Sequence, residues 1–303
     1  MAVGLSVESY RKSVQRFLDA VDFDVPFESP RQAVLDESLA RLRCLPGWQE
    51  KEARCMRVAY GVVRLIIPYL CDKVQVEVTV FYALGVIIDD DPLRYMDGIV
   101  FHGGRLVESD HVGYHYAKGV FDAIEALSEW YEPFIISTLW RSFFQWMVFL
   151  PHETRHAKAL ASVRSMQFID YMRQLLVVSD ATSCVVFTKD IPWSEYIHHI
   201  PGMNLLVQEA NDLLSSYKEL IVGKDVCSVM IQRQKFRNKP IEEVIEESCD
   251  VCIETIKGLY SSPGSDELKM RLRQFVAGYV QFYLDVDRYR LKELLYGEAR
   301  GEF

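Results

Sequence analysis

Apolar residues recur at helical spacing along most of the chain. Leu268, Leu272, Phe275, Val276, Tyr279, Val280 and Tyr283 form an i, i+3/i+4 stripe, the pattern of a helix with one buried face. Pro263-Gly264-Ser265 precedes it as a turn and N-cap, with Asp266 and Glu267 in the first turn, where the helix dipole favours acids. Asn204 to Leu220 carries Leu205, Leu206, Leu213, Leu214 and Tyr217 and predicts a second amphipathic helix. Val76 to Ile88 is apolar nearly all round. Its β-branched residues would suit a strand, but its length and lack of alternation predict a buried helix. Prolines punctuate segments of helix length. Alternating strand runs with Asn-Gly or Asp-Gly turns are absent, as are internal repeats. The reading is an all-α protein, one domain over residues 1–303.

Composition narrows the function classes. Half of the 303 residues are hydrophobic and 12% aromatic, which supports a packed core and excludes a disordered chain. The net charge of −9 argues against a nucleic-acid surface, which needs an excess of Lys and Arg. An anionic small molecule would need local help from metal ions or a few basic residues. Met1 to Ala20 has no apolar leader, Val78 to Ile88 is too short to span a bilayer, and Gly301-Glu302-Phe303 carries no cysteine for prenylation. No membrane anchor is expected, and a cytoplasmic location is. The seven cysteines are scattered, and the Cys249/Cys252 pair lacks a partner pair for zinc, so reduced thiols are the expectation.

Four clusters could carry chemistry. Asp89-Asp90-Asp91 closes the apolar Val76–Ile88 segment. Three adjacent carboxylates at the C-terminal end of a helix repel one another and oppose its dipole, an arrangement that hard divalent cations relieve. An acidic turn before Pro92 is the plainer alternative. Asn211, Ser215 and Glu219 fall at i, i+4 and i+8, one stripe of a helix offering an amide oxygen, a hydroxyl and a carboxylate. That all-oxygen set suits Mg²⁺, and a solvated face is its alternative. Asp287-Arg288-Tyr289-Arg290 lies just past the last long helix, with arginine forks that match phosphate oxygens. His152-Glu153-Thr154-Arg155-His156 matches HExxH, which would make a zinc peptidase. Pro151 is expected to place His152 in the first turn of a helix, and no third ligand follows in a recognised spacing.

Together, IIDDD, NDLLSSYKE and DRYR resemble the class I terpene synthases, in the variant of the fungal trichodiene synthase family of sesquiterpene cyclases. The likeness runs from about Val76 to Leu295. Lys218 beside Glu219 and the Arg288-Tyr289 pair are family marks. Arg173 in Tyr171-Met172-Arg173 sits where the family has its diphosphate-sensing arginine, with Arg164 a nearby competitor. The family's first motif has a third acidic residue two places after its Asp pair. Here Asp91-Pro92 follows directly, so Asp90, Asp91 or Asp97 could assist Asp89.

The resemblance implies a helical bundle around a deep apolar cavity and a Mg²⁺-dependent cyclase acting on farnesyl diphosphate. Three Mg²⁺ ions would be held by Asp89 and Asp90 on one side and by Asn211, Ser215 and Glu219 on the other. Arg173, Lys218, Arg288 and Tyr289 would donate to the diphosphate. Arg288 and Tyr289, with the Tyr82 ring about two helical turns before Asp89, would serve the reacting centre. Metals would let an acidic protein bind an anion, and a homodimer is compatible with the family. The basic stretch Arg233 to Pro240 is expected to be a loop that could fold over the site. A chain that binds diphosphate without turnover is the competing reading, beside the zinc peptidase of His152 and His156.

Overall fold

A computed structural model describes residues 4–97, 99–102, 105–223 and 228–297. Cys227 and Gly301 to Phe303 lie outside them. The chain runs through α1 (Val7–Leu18), α2 (Gln32–Arg43), α3 (Ala53–Ile66), α4 (Asp72–Asp90) and α5 (Pro92–Met96). A short antiparallel hairpin, β1 (Phe101–His102) and β2 (Arg105–Leu106), leads to α6 (Val112–Ala126) and α7 (Pro133–Leu160). Then come α8 (Met166–Leu176), α9 (Ser179–Cys184), α10 (Trp193–Tyr196), α11 (Ile200–Ser216), α12 (Val229–Arg237), α13 (Ile241–Ser261), α14 (Asp266–Asp285) and α15 (Leu291–Tyr296). The buried apolar side chains form one continuous cluster from Tyr10 to Leu294.

The predicted helices are present, with shifted ends. The Val76–Ile88 segment is the interior of α4, which is buried on nearly every face. The helix also takes in Asp89 and Asp90, and Asp91 instead caps α5, its Oδ1 accepting from the Arg94 N–H at 3.4 Å. Ser265 caps α14 as expected, accepting from the Leu268 N–H at 3.3 Å. α11 begins at Ile200 and ends at Ser216, where Tyr217–Val222 continue as a wider π-type turn.

Two expectations are corrected. Pro151 does not start a helix; it is buried within α7, a 28-residue helix that continues on both sides of it. The Arg233–Pro240 stretch is not a free basic loop. Most of it is the C-terminal part of α12, and Arg233 is buried there against Glu209 on α11, with guanidinium–carboxylate distances of 2.6 and 2.7 Å. Arg237 and Lys239 both pair with Glu247 on α13. The charges of this stretch find acids on other helices, which a local charge count does not reveal.

Among the described residues no helix is long and apolar enough to cross a membrane. Cys249 and Cys252 are both buried on α13, and the Cys249 thiol donates to the Ser13 carbonyl at 3.2 Å. They sit as small apolar side chains in the core.

Candidate active site

A cavity of about 490 Å³ opens between α3, α4, α7, α8, α9, α11 and α14. Each long helix reaches it with one stripe. α4 contributes Tyr82, Gly85, Val86 and Asp89; α7 contributes Phe143, Trp146, Leu150 and Glu153; α14 contributes Tyr279, Phe282 and Tyr283. α11 brings Val207, Asn211 and Ser215, with Lys218 and Glu219 following in the π-type turn. The spacings are those of single helical faces. Each four-residue step in an α-helix overshoots a full turn by about 40°, so a straight helix would carry Glu219 round from Asn211. The wider turn winds less per residue, and Asn211, Ser215 and Glu219 all remain on the cavity.

The stripes of α4, α7 and α11 change character along their length. Apolar and aromatic residues come first, and oxygen-bearing residues come last. Asp89 is the final cavity residue of α4, Glu153 of α7 and Glu219 of the α11 extension. Arg288 and Tyr289 follow α14. The mouth is thus polar and the interior apolar.

At the mouth, Asp89 is open to solvent along the cavity yet ringed by protein. That burial raises its carboxyl above the usual Asp range, with Arg288 and Lys218 pulling it back and the Asp90 charge pushing further up. A carboxylate so placed gains from a cation at its oxygens. Lys218 Nζ lies 3.8 Å from Glu219 Oε1 and 5.6 Å from the centre of the Tyr289 ring. Tyr289 packs on Tyr283, ring centres 4.4 Å apart. Burial holds the Tyr289 phenol well above its ordinary pKa, so it stays protonated and can donate a hydrogen bond.

Hydrogen bonds order the polar wall. Asn211 Nδ2 donates to the Tyr283 hydroxyl at 2.7 Å. Tyr283 and Tyr279 hydroxyls are 3.1 Å apart, and Tyr279 donates to the Val207 carbonyl at 3.1 Å. This chain fixes the Asn211 amide so that its oxygen accepts from Arg173 Nη2 at 3.0 Å. The same Arg173 nitrogen is 2.5 Å from Asp212 Oδ1. Asp212 is fully buried, and burial pushes its carboxyl up to about 6, against the pull of Arg173 and Arg233. The Tyr82 hydroxyl donates to Thr182 Oγ1 at 2.8 Å, which pins its ring in the wall.

The cavity therefore gathers Tyr82, Asp89, Arg173, Asn211, Ser215, Lys218, Glu219, Arg288 and Tyr289. Asp90, expected beside Asp89 in the metal set, does not line it. One residue further along the helix is about 100° further round, so Asp90 faces α3. There it meets Arg54 Nη2 at 3.3 Å and the Cys55 thiol at 3.6 Å, with Arg288 Nη1 at 3.6 Å. Asp91 and Asp97 also stand off the cavity, Asp97 in an ion pair with Arg155. Arg164 is exposed and does not line the cavity, leaving Arg173 as the arginine from that segment. His152 and His156 are exposed on α7 and do not line it either. Among the described residues no three His, Cys, Asp or Glu side chains group to hold a metal alone. The two motifs bring Asp89, Asn211, Ser215 and Glu219 to the cavity, and the Glu153 carboxylate lines it as well; this all-oxygen set fits Mg²⁺ sharing its shell with substrate oxygens and water.

The family model described as Trichodiene synthase (TRI5) matches residues 49–302. The chain belongs to this family. As a trichodiene synthase family member it has the all-α terpene synthase fold. Among similar curated proteins are Monoterpene synthase 25 of Postia placenta, 24% identical over 75% of this chain and 69% of that one, and the (E)-beta farnesene synthase of Metarhizium brunneum, 23% identical over 75% and 71%. Longiborneol synthase CLM1 of Gibberella zeae is 23% identical over 94% of this chain and 87% of its own. The solved structure of the SVS_A2 protein from ancestral sequence reconstruction, in a mutated form, aligns with a TM-score of 0.61 at 13% identity. It covers 86% of this chain and 87% of its own.

Several residues of this family member's site escaped the sequence reading. Glu153 was absorbed into the HExxH match, although Phe143, Trp146, Leu150 and Glu153 step along the chain at i+3, i+7 and i+10. Asp212 stood in the motif beside Asn211, and its charge was passed over. Arg233 reads from sequence only as the start of a basic stretch, because its acids lie on α11.

Proposed function

We propose that this chain is a Mg²⁺-dependent sesquiterpene cyclase that ionises farnesyl diphosphate, releases diphosphate and cyclises the resulting carbocation. A single observation carries the reading. One cavity has an aromatic, apolar interior and a mouth bearing both an oxygen donor set and the cations that suit a diphosphate. A relative named for farnesene supports the fifteen-carbon substrate.

Asp89 would hold Mg²⁺ from one side, and Asn211, Ser215 and Glu219 from the other. The bound ions would supply positive charge that stabilises the departing diphosphate. Arg173, Lys218 and Arg288 would donate to its oxygens, and the neutral Tyr289 hydroxyl would add a hydrogen bond. The carbon–oxygen bond breaks with both electrons leaving on diphosphate. The remaining allylic cation needs a dry surface with no nucleophile. Tyr82, Phe143, Trp146, Phe282 and Tyr283 offer aromatic rings to it. Tying the Tyr82 hydroxyl to Thr182 keeps that oxygen engaged.

Two expected results follow. Asp89→Asn should lower turnover far more than Asp91→Asn, because only Asp89 faces the cavity. Steady-state rates on farnesyl diphosphate check this, and the reverse order would mean that the acidic motif has a different register. Gly85→Ala should keep much of the turnover and change the product mixture. Its added Cβ would stand 3.3 Å from Phe143 Cε1, so the ring must shift by a few tenths of an ångström inside the cavity. Gas chromatography–mass spectrometry of the products reads the change, and an identical product mixture would remove Phe143 from the surface that shapes the cation.

Diphosphate release from farnesyl diphosphate with Mg²⁺ tests the assignment as a whole. Release that disappears on chelation supports it.

A further inference from the structure

Arg173 is not isolated in the wall of the cavity. Its Nη2 lies against one oxygen of buried Asp212, and the other oxygen, Oδ2, has no hydrogen-bond partner. Arg233 Nη2 stands 3.6 Å from that second oxygen. Arg233 is itself fixed from behind. Its fork meets both Glu209 oxygens at 2.6 and 2.7 Å, Nη1 also donates to Ser248 Oγ at 3.1 Å, and Ser248 donates to Glu209 at 2.9 Å. Two arginines and two carboxylates thus balance in a buried row from α8 through α11 to α12. Only Arg173 of the four lines the cavity.

The row has a consequence for anion binding. Arg173 holds Asp212 through Nη2 alone, so a diphosphate that draws Nη2 takes that nitrogen from Asp212. A buried carboxylate left without a cation is costly. The unused Asp212 oxygen beside an anchored guanidinium removes that cost. We propose that Arg233 is a positioning residue that keeps Asp212 charge-balanced when Arg173 turns to an anion in the cavity, and so sets the affinity of the site for diphosphate. This rests on the diphosphate-binding reading of the cavity. It assigns a role to α12, whose charges otherwise resemble a solvated run.

The test is calorimetric titration of inorganic pyrophosphate, in saturating Mg²⁺, into four full-length proteins. These are the unaltered chain, Glu209→Gln/Arg233→Gln, Arg173→Gln, and the three substitutions combined. The Gln–Gln pair removes both charges together, so neither Glu209 nor Arg233 is left as a lone buried ion. With Arg173 present the pair should weaken pyrophosphate binding about tenfold. With Arg173→Gln it should change binding by less than about twofold, the additive limit. Equal losses in both backgrounds, or no loss in either, overturn the role of Arg233 and leave the functional reading intact. An unaltered chain that does not bind pyrophosphate overturns the functional reading, and this inference with it. Arg233→Lys guards against a pair that fails to fold. It keeps the charge facing Asp212 and should bind pyrophosphate within about twofold of the unaltered chain; a tenfold loss there contradicts a role based on charge.

Discussion

Glu219→Gln is expected to cut turnover by about a hundredfold or more, as losing a metal ligand or its immediate support commonly does. The substitution is nearly isosteric and keeps one oxygen. Among the described residues it removes the only carboxylate that the α11 side offers to the cavity, since Asn211 and Ser215 contribute neutral oxygens. A hard divalent cation there would keep its geometry and lose much of its electrostatic attraction. The fold should persist, because Glu219 sits at the mouth in the π-type turn and outside the apolar cluster. Steady-state kinetics over a Mg²⁺ series, with circular dichroism alongside, separates the effects. The account expects intact helix content, a large fall in kcat and a higher Mg²⁺ requirement. Full turnover at ordinary Mg²⁺ would remove Glu219 from the site.

Gly278→Ala is expected to have the largest effect on stability. α14 crosses α3 closely enough that a Cβ at 278 would stand 2.1 Å from the Leu65 carbonyl oxygen and 3.0 Å from the Ile66 nitrogen. Backbone atoms inside a helix cannot step aside as a side chain can, so the two helices must separate. Leu65 is in the last turn of α3, where carbonyls lack helical partners. Gln274, one turn before Gly278, donates to that carbonyl at 2.7 Å. Separation would therefore break this bond as well as the packing. The cost should be about 3 kcal/mol, the upper end for overpacking, with Tm falling by several degrees. Val58, Ala59 and Val62 on α3 face Tyr279 and Phe282 on α14 across the cavity lining, so the surviving enzyme should also show an altered product mixture. An unchanged Tm would show that the helices are not locked at this crossing.

The helices that hold the motifs were legible because burial is written in periodicity. The α14 stripe and its Ser265 cap are local features, and both fell where the pattern placed them. α4 was legible as a buried helix for the opposite reason, its lack of a polar face. That same property hid which aspartate points inward. With no amphipathic phase, helical periodicity does not separate Asp89, which faces the cavity, from Asp90, which faces Arg54 and Cys55 on α3; only the motif resemblance put Asp89 first. Pro151 misled for a different reason. Proline removes one helical hydrogen bond and often ends a helix, but here α7 is held on both sides by packing, and both Leu150 and Pro151 are buried. Arg233 read as one charge in a basic run because its acids are distant in sequence, on α11. Motif chemistry and helical phase survive in a single sequence, whereas pairings between helices do not.

The central claim is that the polar mouth and aromatic interior of one cavity act together on an isoprenoid diphosphate. Incubation with farnesyl diphosphate and Mg²⁺, measuring released diphosphate and analysing the volatile products by gas chromatography–mass spectrometry, tests it most directly. Geranyl and geranylgeranyl diphosphates serve as length controls. The account predicts stoichiometric diphosphate and cyclic fifteen-carbon hydrocarbon from farnesyl diphosphate, both abolished by chelation. Binding of Mg²⁺ and farnesyl diphosphate with no diphosphate released would contradict it and make the chain a diphosphate-binding protein on a terpene synthase fold.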